Sequence, residues 1–518
     1  MHLLPTARSA AAHHLCPNTG SPSGPFDIQT YEALDYRESY ARALELAGYN
    51  LVSPENAGFA LPGIETGLRN GPQGVAVPYV PPVILKSIAY LESGWAQASY
   101  TPLVDYGETG PVLASHDCGY GVMQVTTGMQ NISGVPNLDQ AMIGTHYAFN
   151  MVRGARILAD KWNMSPEYRP AVGDRNPNLI ENWYYAIWGY NGFAYSNHPL
   201  NPAYQTTRVQ YSCGTADDGY GHDRTQYPYQ ELVLGCVQRP PFRAGSQLWP
   251  PQDVHLPELT EATFAVPLSL ENWNPCSYNL NCAAMDMPTP NTWHTDATVL
   301  NVTRDQILGT PTMSLSSGGA NVSLDSTTTA TTVGFDVINA GTGVLGYQAL
   351  SDSSWLKVSP AAGVALGSDL GARNGAITVT VNATGMTPGN YTAHVTLSSR
   401  YVANPPSTFT VNLTMGTPAP TPAHDGKWGD NNCTQAPPDP VDSLLTLRHD
   451  AGLDANTQGC PGIGAELHIA TVFIWGDVDC NGQVNPVDSL KILRFDAAMG
   501  VQQEPGCPAM GAAIVFPG

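Results

Sequence analysis

The chain is poor in charge, and poorest in positive charge. Only 13% of its 518 residues are charged, with 22 Lys plus Arg against 43 Asp plus Glu, a net charge of −21. A surface of that sign repels phosphate backbones, which excludes nucleic acid as a partner. It also gains nothing electrostatically from an anionic cell wall, so affinity there has to come from ring stacking and hydrogen bonds. No apolar run is long enough to span a bilayer. Residues 1–20 lack the apolar stretch of an export signal. There is no phosphate loop, no nucleotide motif and no histidine cluster with metal-ligand spacing.

What is plentiful is Gly, Pro, Tyr, Ser, Thr and Asn, a composition of long loops and β-domains outside the cell. Eight of the ten cysteines fall in local couples: Cys213 with Cys236, Cys276 with Cys282, Cys433 with Cys460 and Cys480 with Cys507. The last two couples have the same separation. Even, local spacing predicts disulfides formed in an oxidising compartment, hence a secreted, extracellular or cell-envelope protein. Cys16 and Cys118 remain, and the sequence alone does not pair them.

The length predicts three or four domains. Residues 1–28 read as disordered. Residues 29–245 read as helical, with helices over Tyr31 to Tyr49, Val83 to Trp95, a long stripe from Tyr147 to Trp162, and a buried segment from Leu179 to Tyr190. A Pro-rich connecting region covers 246–310. From 311 to 416 the pattern turns to period two, as in Ile377, Val379 and Val381, or Phe409, Val411, Leu413 and Met415, which predicts an antiparallel β-sandwich. A Thr-Pro-Ala-Pro-Thr-Pro linker covers 417–428. The tail, 429–518, is an internal repeat. Gly429-Asp430 matches Gly476-Asp477, Pro440-Val441-Asp442-Ser443-Leu444 matches Pro486-Val487-Asp488-Ser489-Leu490, and Gly459-Cys460-Pro461 matches Gly506-Cys507-Pro508.

One carboxylate stands out. Ile84, Ile88 and Glu92 are four apart and share a helix face, so Glu92 ends an apolar stripe. Partial desolvation raises the pKa of such a group and suits it to general acid work. By pattern alone, a glutamate pointing to water is the simpler reading. Three further segments change that: Gly119-Tyr120-Gly121-Val122-Met123-Gln124, Asn150-Met151-Val152-Arg153-Gly154 and Trp188-Gly189-Tyr190-Asn191-Gly192.

Together with Ala89 to Trp95, and in that order, these segments resemble the lytic transglycosylase and goose-type lysozyme family, glycoside hydrolase family 23. The resemblance covers roughly residues 80–200. Gly189 stands where the family usually has Ala, and Asp117-Cys118 precedes the Gly-rich turn. It implies a lysozyme-like helical domain acting on peptidoglycan glycan strands, with Glu92 as catalytic acid and base and Tyr190 near its carboxyl. It further implies Ser93, Met123, Gln124, Asn150 and Asn191 along the substrate groove. Trp95, Tyr120, Tyr184 and Trp188 are candidate sugar platforms, each equally suited to a core. The transglycosylase outcome, a 1,6-anhydromuramyl end made without water, needs one carboxylate. A goose-type hydrolase needs a second to position water, for which Asp105 and Asp117 are available. A glycan-binding scaffold without catalysis is the third reading.

In the sandwich, Trp355-Leu356-Lys357-Val358-Ser359-Pro360 with Pro388-Gly389-Asn390-Tyr391-Thr392 resembles BACON-type or related Ig-like modules, here read as a spacer. In the tail, Asp477, Asp479, Asn481, Gly482, Gln483, Asn485 and Asp488 fall at positions 1, 3, 5, 6, 7, 9 and 12 of an EF-hand-like calcium loop, Asp replacing Glu at the last. The first copy offers Asp430, Asn432, Thr434, Asp439 and Asp442, but Gln435 replaces the Gly and one residue is inserted, so weaker calcium binding, or none, is expected there. The pair is similar to dockerin type I modules, with longer spacing and four added cysteines. It implies structural calcium and a cohesin-like or cell-surface partner.

Overall fold

The structure, a computed structural model, describes residues 26–257 and 302–516, apart from 69–70, 101–102, 131–132, 164–171, 206, 326, 403, 405, 417–423, 456, 458–459 and 469–471. Cys16, the Cys276/Cys282 couple and most of the 246–310 region lie outside them. The chain forms two compact units. One holds the helical and two-sheet portions as far as residue 414, without residues 325–328, and the other holds residues 325–328 and 415–518.

The first unit opens with β1 (Gln29–Tyr31), α1 (Tyr36–Gly48), the hairpin β2–β3 (Ile64–Thr66 and Gly74–Ala76), α2 (Pro82–Ser93) and β4 (Thr109–Pro111). It continues with α3 (Leu138–Thr145), α4 (Tyr147–Asn163), α5 (Tyr184–Tyr190), α6 (Tyr229–Gln238) and the hairpin β5–β6 (Phe242–Arg243 and Ser246–Gln247). The helix expected from Tyr31 begins five residues later. Gln29 to Tyr31 pair with β4 instead, and the Asp35 carboxylate accepts from the Glu38 amide to start α1. In α2, Pro82 sits in the first turn and the helix stops at Gly94, left-handed at φ 67°. The segment expected as one helix from Leu179 splits into a 3₁₀ turn (Ile180–Trp183) and α5.

Three expected boundaries shift, each for the same reason: apolar side chains find cover. Phe26 and Ile28 are buried, so residues 26–28 of the stretch read as disordered belong to the core. Leu248, Trp249 and Val254 join the helical core beyond residue 245, with Trp249 stacked on Trp95 at 5.4 Å. At the far end of the connecting region, α7 (Arg304–Leu308) buries Ile307 and Leu308 in the same core.

The β-portion comprises β7 (Met313–Leu315), β8 (Gly319–Leu324), β9 (Ala330–Asn339), β10 (Val344–Ser351), β11 (Leu356–Ser359), β12 (Ala362–Leu366), β13 (Gly375–Asn382), β14 (Gly389–Ser398) and β15 (Ser407–Met415). Five strands make one sheet in the order β12-β10-β14-β15-β8, and four make the other, β11-β13-β9-β7. Phe335 of the second stacks on Phe409 of the first at 4.1 Å, so the alternating apolar faces meet as the period-two pattern requires. Val344, Ala362, Val364 and Leu366 nevertheless belong to the helical core cluster. The helical and sheet portions are packed together in one unit.

In the second unit, β16 (His424–Lys427) pairs antiparallel with β19 (Ala513–Phe516), so the linker expected over 417–428 has ended by residue 424. Between them lie α8 (Pro440–Asp450), the hairpin β17–β18 (Glu466–His468 and Val472–Ile474) and α9 (Pro486–Asp496). Equivalent residues of the two repeats meet: Trp428 with Trp475, ring to ring at 6.3 Å, and Ser443 with Ser489, hydroxyl to hydroxyl at 2.6 Å. Disulfides join Cys433 to Cys460 and Cys480 to Cys507, one per repeat, as the spacing predicts. Cys213 pairs with Cys236, and Cys118 is also disulfide-bonded. Among the described residues no helix is long and apolar enough to cross a membrane.

Candidate active site

Glu92 lies in the last turn of α2. Ile84 and Ile88, on the same face, are fully buried, and Glu92 is partly exposed. Its Oε1 accepts a hydrogen bond from the Tyr229 hydroxyl at 2.5 Å. Tyr190 is close enough for the Glu92 charge to act on it, and its hydroxyl donates to the Met123 carbonyl at 2.8 Å. Burial, then the Glu92 charge, pushes both tyrosines well above their ordinary pKa. Both therefore stay neutral and act as hydrogen-bond donors. Arg224 donates to the Leu91 carbonyl at 2.8 Å, which places one cation beside the end of α2.

The Gly-rich turn is held against α2. Ser93 Oγ donates to the Val122 carbonyl at 2.8 Å and accepts from the Ala96 amide at 3.1 Å, so Ser93 ties helix to turn. Gly121 cannot be replaced: at φ 64° its Cβ would stand 2.4 Å from Gln97 Oε1 and 2.6 Å from Asn150 Nδ2. Gln124 is also left-handed, at φ 46°, and its Nε2 donates to the Gly121 carbonyl at 2.9 Å. Its side chain stays partly exposed on the turn.

Two expected groove residues are placed elsewhere. Asn150 is fully buried. Its Oδ1 accepts from the Met123 amide at 2.8 Å and its Nδ2 donates to the Tyr120 carbonyl at 2.7 Å, so it holds the turn and cannot reach a ligand. Met123 is buried against Gly154, and only its carbonyl serves the site. Trp95, Tyr120, Tyr184 and Trp188 are all core residues, so none is a sugar platform.

At the other side, Asn191 caps α5, is exposed, and accepts from Asn197 Nδ2 at 2.8 Å. Asn197 Oδ1 in turn accepts from the Tyr229 amide at 3.2 Å. This network of Asn197 and Tyr229, and Arg224 at the Leu91 carbonyl, are absent from the sequence expectations, because residues 195–229 carry no periodic signal. Pro228 before a run of apolar residues was the available sign of α6. The Cys213–Cys236 bridge then fixes the helix that carries Tyr229.

Asp117 is exposed on the hairpin that leads into Gly119 to Gln124, and the Ser115 hydroxyl donates to it. Asp105 is exposed in a turn whose Gly107 amide donates to the Glu32 carbonyl at 2.8 Å, beside β1.

In the tail, Asp477, Asp479 and Asp488 are buried, with one oxygen of each within 4.8 Å of the others. The Asn481 and Gly482 amides donate to the two Asp477 oxygens at 3.1 and 2.7 Å, and Gly482 takes φ 90°. The loop is thus wrapped around its first carboxylate. Burial, with the Asp479 and Asp477 charges, raises the Asp488 carboxyl to about 6. Lys491 pairs with Asp479. Gln483 and Asn481 stay on the loop's rim. The first copy has the same backbone form. Thr434 and Gln435 amides donate to Asp430 at 3.1 and 2.7 Å, Asn432 donates to Asp442 at 3.0 Å, and Gln435 adopts φ 60° where the second copy has Gly. Val441, Leu444 and Leu447 on α8, and Val487, Leu490 and Leu493 on α9, are 41–55% exposed, a matched pair of apolar faces.

Comparison with known proteins bears on the sandwich. Residues 314–408 match the family described as the Viral BACON domain, so the chain carries a BACON domain there. No curated protein matches the chain. Similar solved structures include the ASH/PapD-like domain 7 of human CEP192, at 10% identity over 21% of this chain and 87% of that one, TM-score 0.18. The periplasmic chaperone SfaE shares 13% identity over 21% and 60%, TM-score 0.17. A Bacteroides ovatus GH5 xyloglucanase shares 16% identity over 28% and 35%, TM-score 0.16. At those scores the likenesses carry no argument about function.

Proposed function

We propose that this is a secreted, modular enzyme that cleaves peptidoglycan glycan strands at the β-1,4 bond between MurNAc and GlcNAc, as a lytic transglycosylase. The observation that carries the reading is the convergence on Glu92: a carboxylate ending an apolar face, bonded to the Tyr229 hydroxyl at 2.5 Å, with Tyr190 and the Gly121 to Gln124 turn beside it. Glu92 gives its proton to the glycosidic oxygen as the C1–O bond breaks. Its carboxylate then takes the proton of the muramyl C6 hydroxyl as that oxygen bonds to C1. No water is consumed and the product ends in 1,6-anhydromuramic acid. Tyr229 holds the carboxylate oriented through both steps. Partly exposed Gln124 and exposed Asn191 supply amides for the sugar.

A hydrolase of the same bond is the second reading, favoured by Asp117, whose hairpin also carries Gln124. The tail is proposed to hold calcium through the hard oxygens of Asp477, Asp479, Asn481 and Asp488 and the Gln483 carbonyl, with a divalent ion displacing Lys491 from Asp479. Asp430, Asn432 and Asp442 form a second, weaker site. The two apolar helix faces suit a cohesin-like or cell-surface partner. Mass spectrometry of muropeptides released from purified peptidoglycan tests the enzyme reading. Anhydro products that vanish with Glu92→Gln support it. Reducing ends replace it with the hydrolase, and no product from folded, calcium-loaded protein leaves a glycan-binding scaffold.

A further inference from the structure

The Gly121 to Gln124 turn is held by two buried amides, and both reach past it to the same place. Asn150 binds Tyr120 and Met123, and its Nδ2 also lies 3.3 Å from the Ile143 carbonyl. Gln97 Oε1 accepts from the Val122 amide at 3.1 Å, while its Nε2 donates to the Gly144 carbonyl at 3.0 Å. Ile143 and Gly144 form the end of α3. α3 also packs on β10 and β12 of the BACON sandwich.

That contact is specific. Gln348 of β10, 9% exposed, donates from Nε2 to the Pro136 carbonyl at 2.7 Å. Arg400 donates to Asp139 Oδ1 at 2.6 and 3.0 Å. The Tyr401 ring packs on His146 at 5.7 Å and Phe149 at 5.2 Å, and its hydroxyl accepts from the Gly346 amide at 3.0 Å. Gly346 has no room for a side chain, since Thr145 Oγ1 stands 2.5 Å from its would-be Cβ. A second arm runs through the N-terminal strand. The Asp27 carbonyl accepts from the Ala361 amide at 3.0 Å, Ile28 pairs with Ala362, and Glu32 accepts from the Gln97 and Ala98 amides at 2.9 Å each.

We propose that the sandwich is a positioning scaffold for the Gly121 to Gln124 turn: Gln348, Arg400 and Tyr401 fix α3, and α3 fixes the turn through Asn150 and Gln97. The spacer role expected from the sequence is replaced by this one. A tethered spacer shares few contacts with its neighbour, whereas here β10 and β12 supply Val344, Ala362, Val364 and Leu366 to the helical core. Ser93 and Tyr190 also hold the turn, through the Val122 and Met123 carbonyls, while Asn150 and Gln97 tie it to α3; a packed α3 transmits displacement because close-packed interiors do not deform smoothly.

Amide hydrogen exchange on the full chain tests this without any substrate, so its outcome is separate from the assignment of the chemistry. In Arg400→Ala/Tyr401→Ala, peptides spanning 136–146 and 119–125 should both exchange at least tenfold faster, while 375–382 in the sandwich interior stays unchanged. Arg400→Lys with Tyr401→Phe should restore protection of 119–125, and serves if the double alanine variant does not fold. Faster exchange at 136–146 with 119–125 unchanged would overturn the proposal. So would wild-type protein melting in two steps, with the sandwich and the helical portion unfolding separately.

Discussion

The Tyr229 hydroxyl meets Glu92 Oε1 at 2.5 Å, though 137 residues separate them. The resemblance placed a tyrosine beside this carboxylate, and expected Tyr190 to be it. Tyr190 is there, but its proton goes to the Met123 carbonyl. The two tyrosines divide the labour: one orients the carboxylate, the other ties α5 to the Gly-rich turn.

Tyr229→Phe should lower kcat/KM about 10- to 100-fold with little change in melting temperature, the range of one hydrogen bond to a charged group. The loss removes a donor that favours the ionised carboxylate, so the pH profile should move toward higher pH. Steady-state kinetics across pH on peptidoglycan checks this. An unchanged profile with unchanged rate would show that Glu92 is oriented by other contacts.

Glu32 offers a pH test of stability. It is buried and accepts from the Tyr40 hydroxyl at 2.6 Å and from the Gln97 and Ala98 amides, yet burial pushes its carboxyl from 4.5 up to about 7. Between those two values the folded chain keeps a proton that the unfolded chain has lost. Stability from this group therefore falls as pH rises from 4.5 to 7, by about 3 kcal/mol, and is level above. Denaturant unfolding of wild type and Glu32→Gln at pH 5 and 7.5 should show a gap that changes by that order. Parallel behaviour would refute it.

Asn150→Ala should cost about 3 kcal/mol or more, since it orphans the Met123 amide and the Tyr120 carbonyl in a buried site. Calorimetry would show a melting point lower by several degrees. If stability were unchanged, water would have to enter and satisfy both groups.

Calcium should stabilise the tail. At a hundredfold excess over the dissociation constant the gain is about 2.7 kcal/mol. Asp488→Asn should remove most of that gain and Asp442→Asn less, read by the calcium-dependent shift of the tail's melting transition. Equal losses would mean that the two loops bind alike.

Much of this was legible in local pattern. The period-two runs gave the sandwich, since strands with one buried face must alternate. The Asp and Asn spacing gave both loops of the tail, and even, short cysteine spacing gave three bridges of the described chain. One regularity went unread: Trp428 and Trp475 each precede the repeated Gly-Asp, and their rings meet in the core of the tail. The left-handed Gln435 was also hidden, because a non-glycine residue gives no local sign of positive φ when the loop around Asp430 enforces it.

The sequence by itself determined the helices α2 and α4, the strands of the sandwich and the paired loops of the tail, and which residue ends an apolar face as an acid. These depend on neighbours a few positions apart, which periodicity and capping encode. Only the tertiary structure decided which side chain points where. It buried Asn150 and Met123, brought Tyr229 to Glu92 and Arg224 to the Leu91 carbonyl from an unpatterned stretch, and seated the sandwich against α3. Those outcomes depend on contacts between segments far apart in the chain, set by what each apolar face finds to cover it, and no local pattern records them.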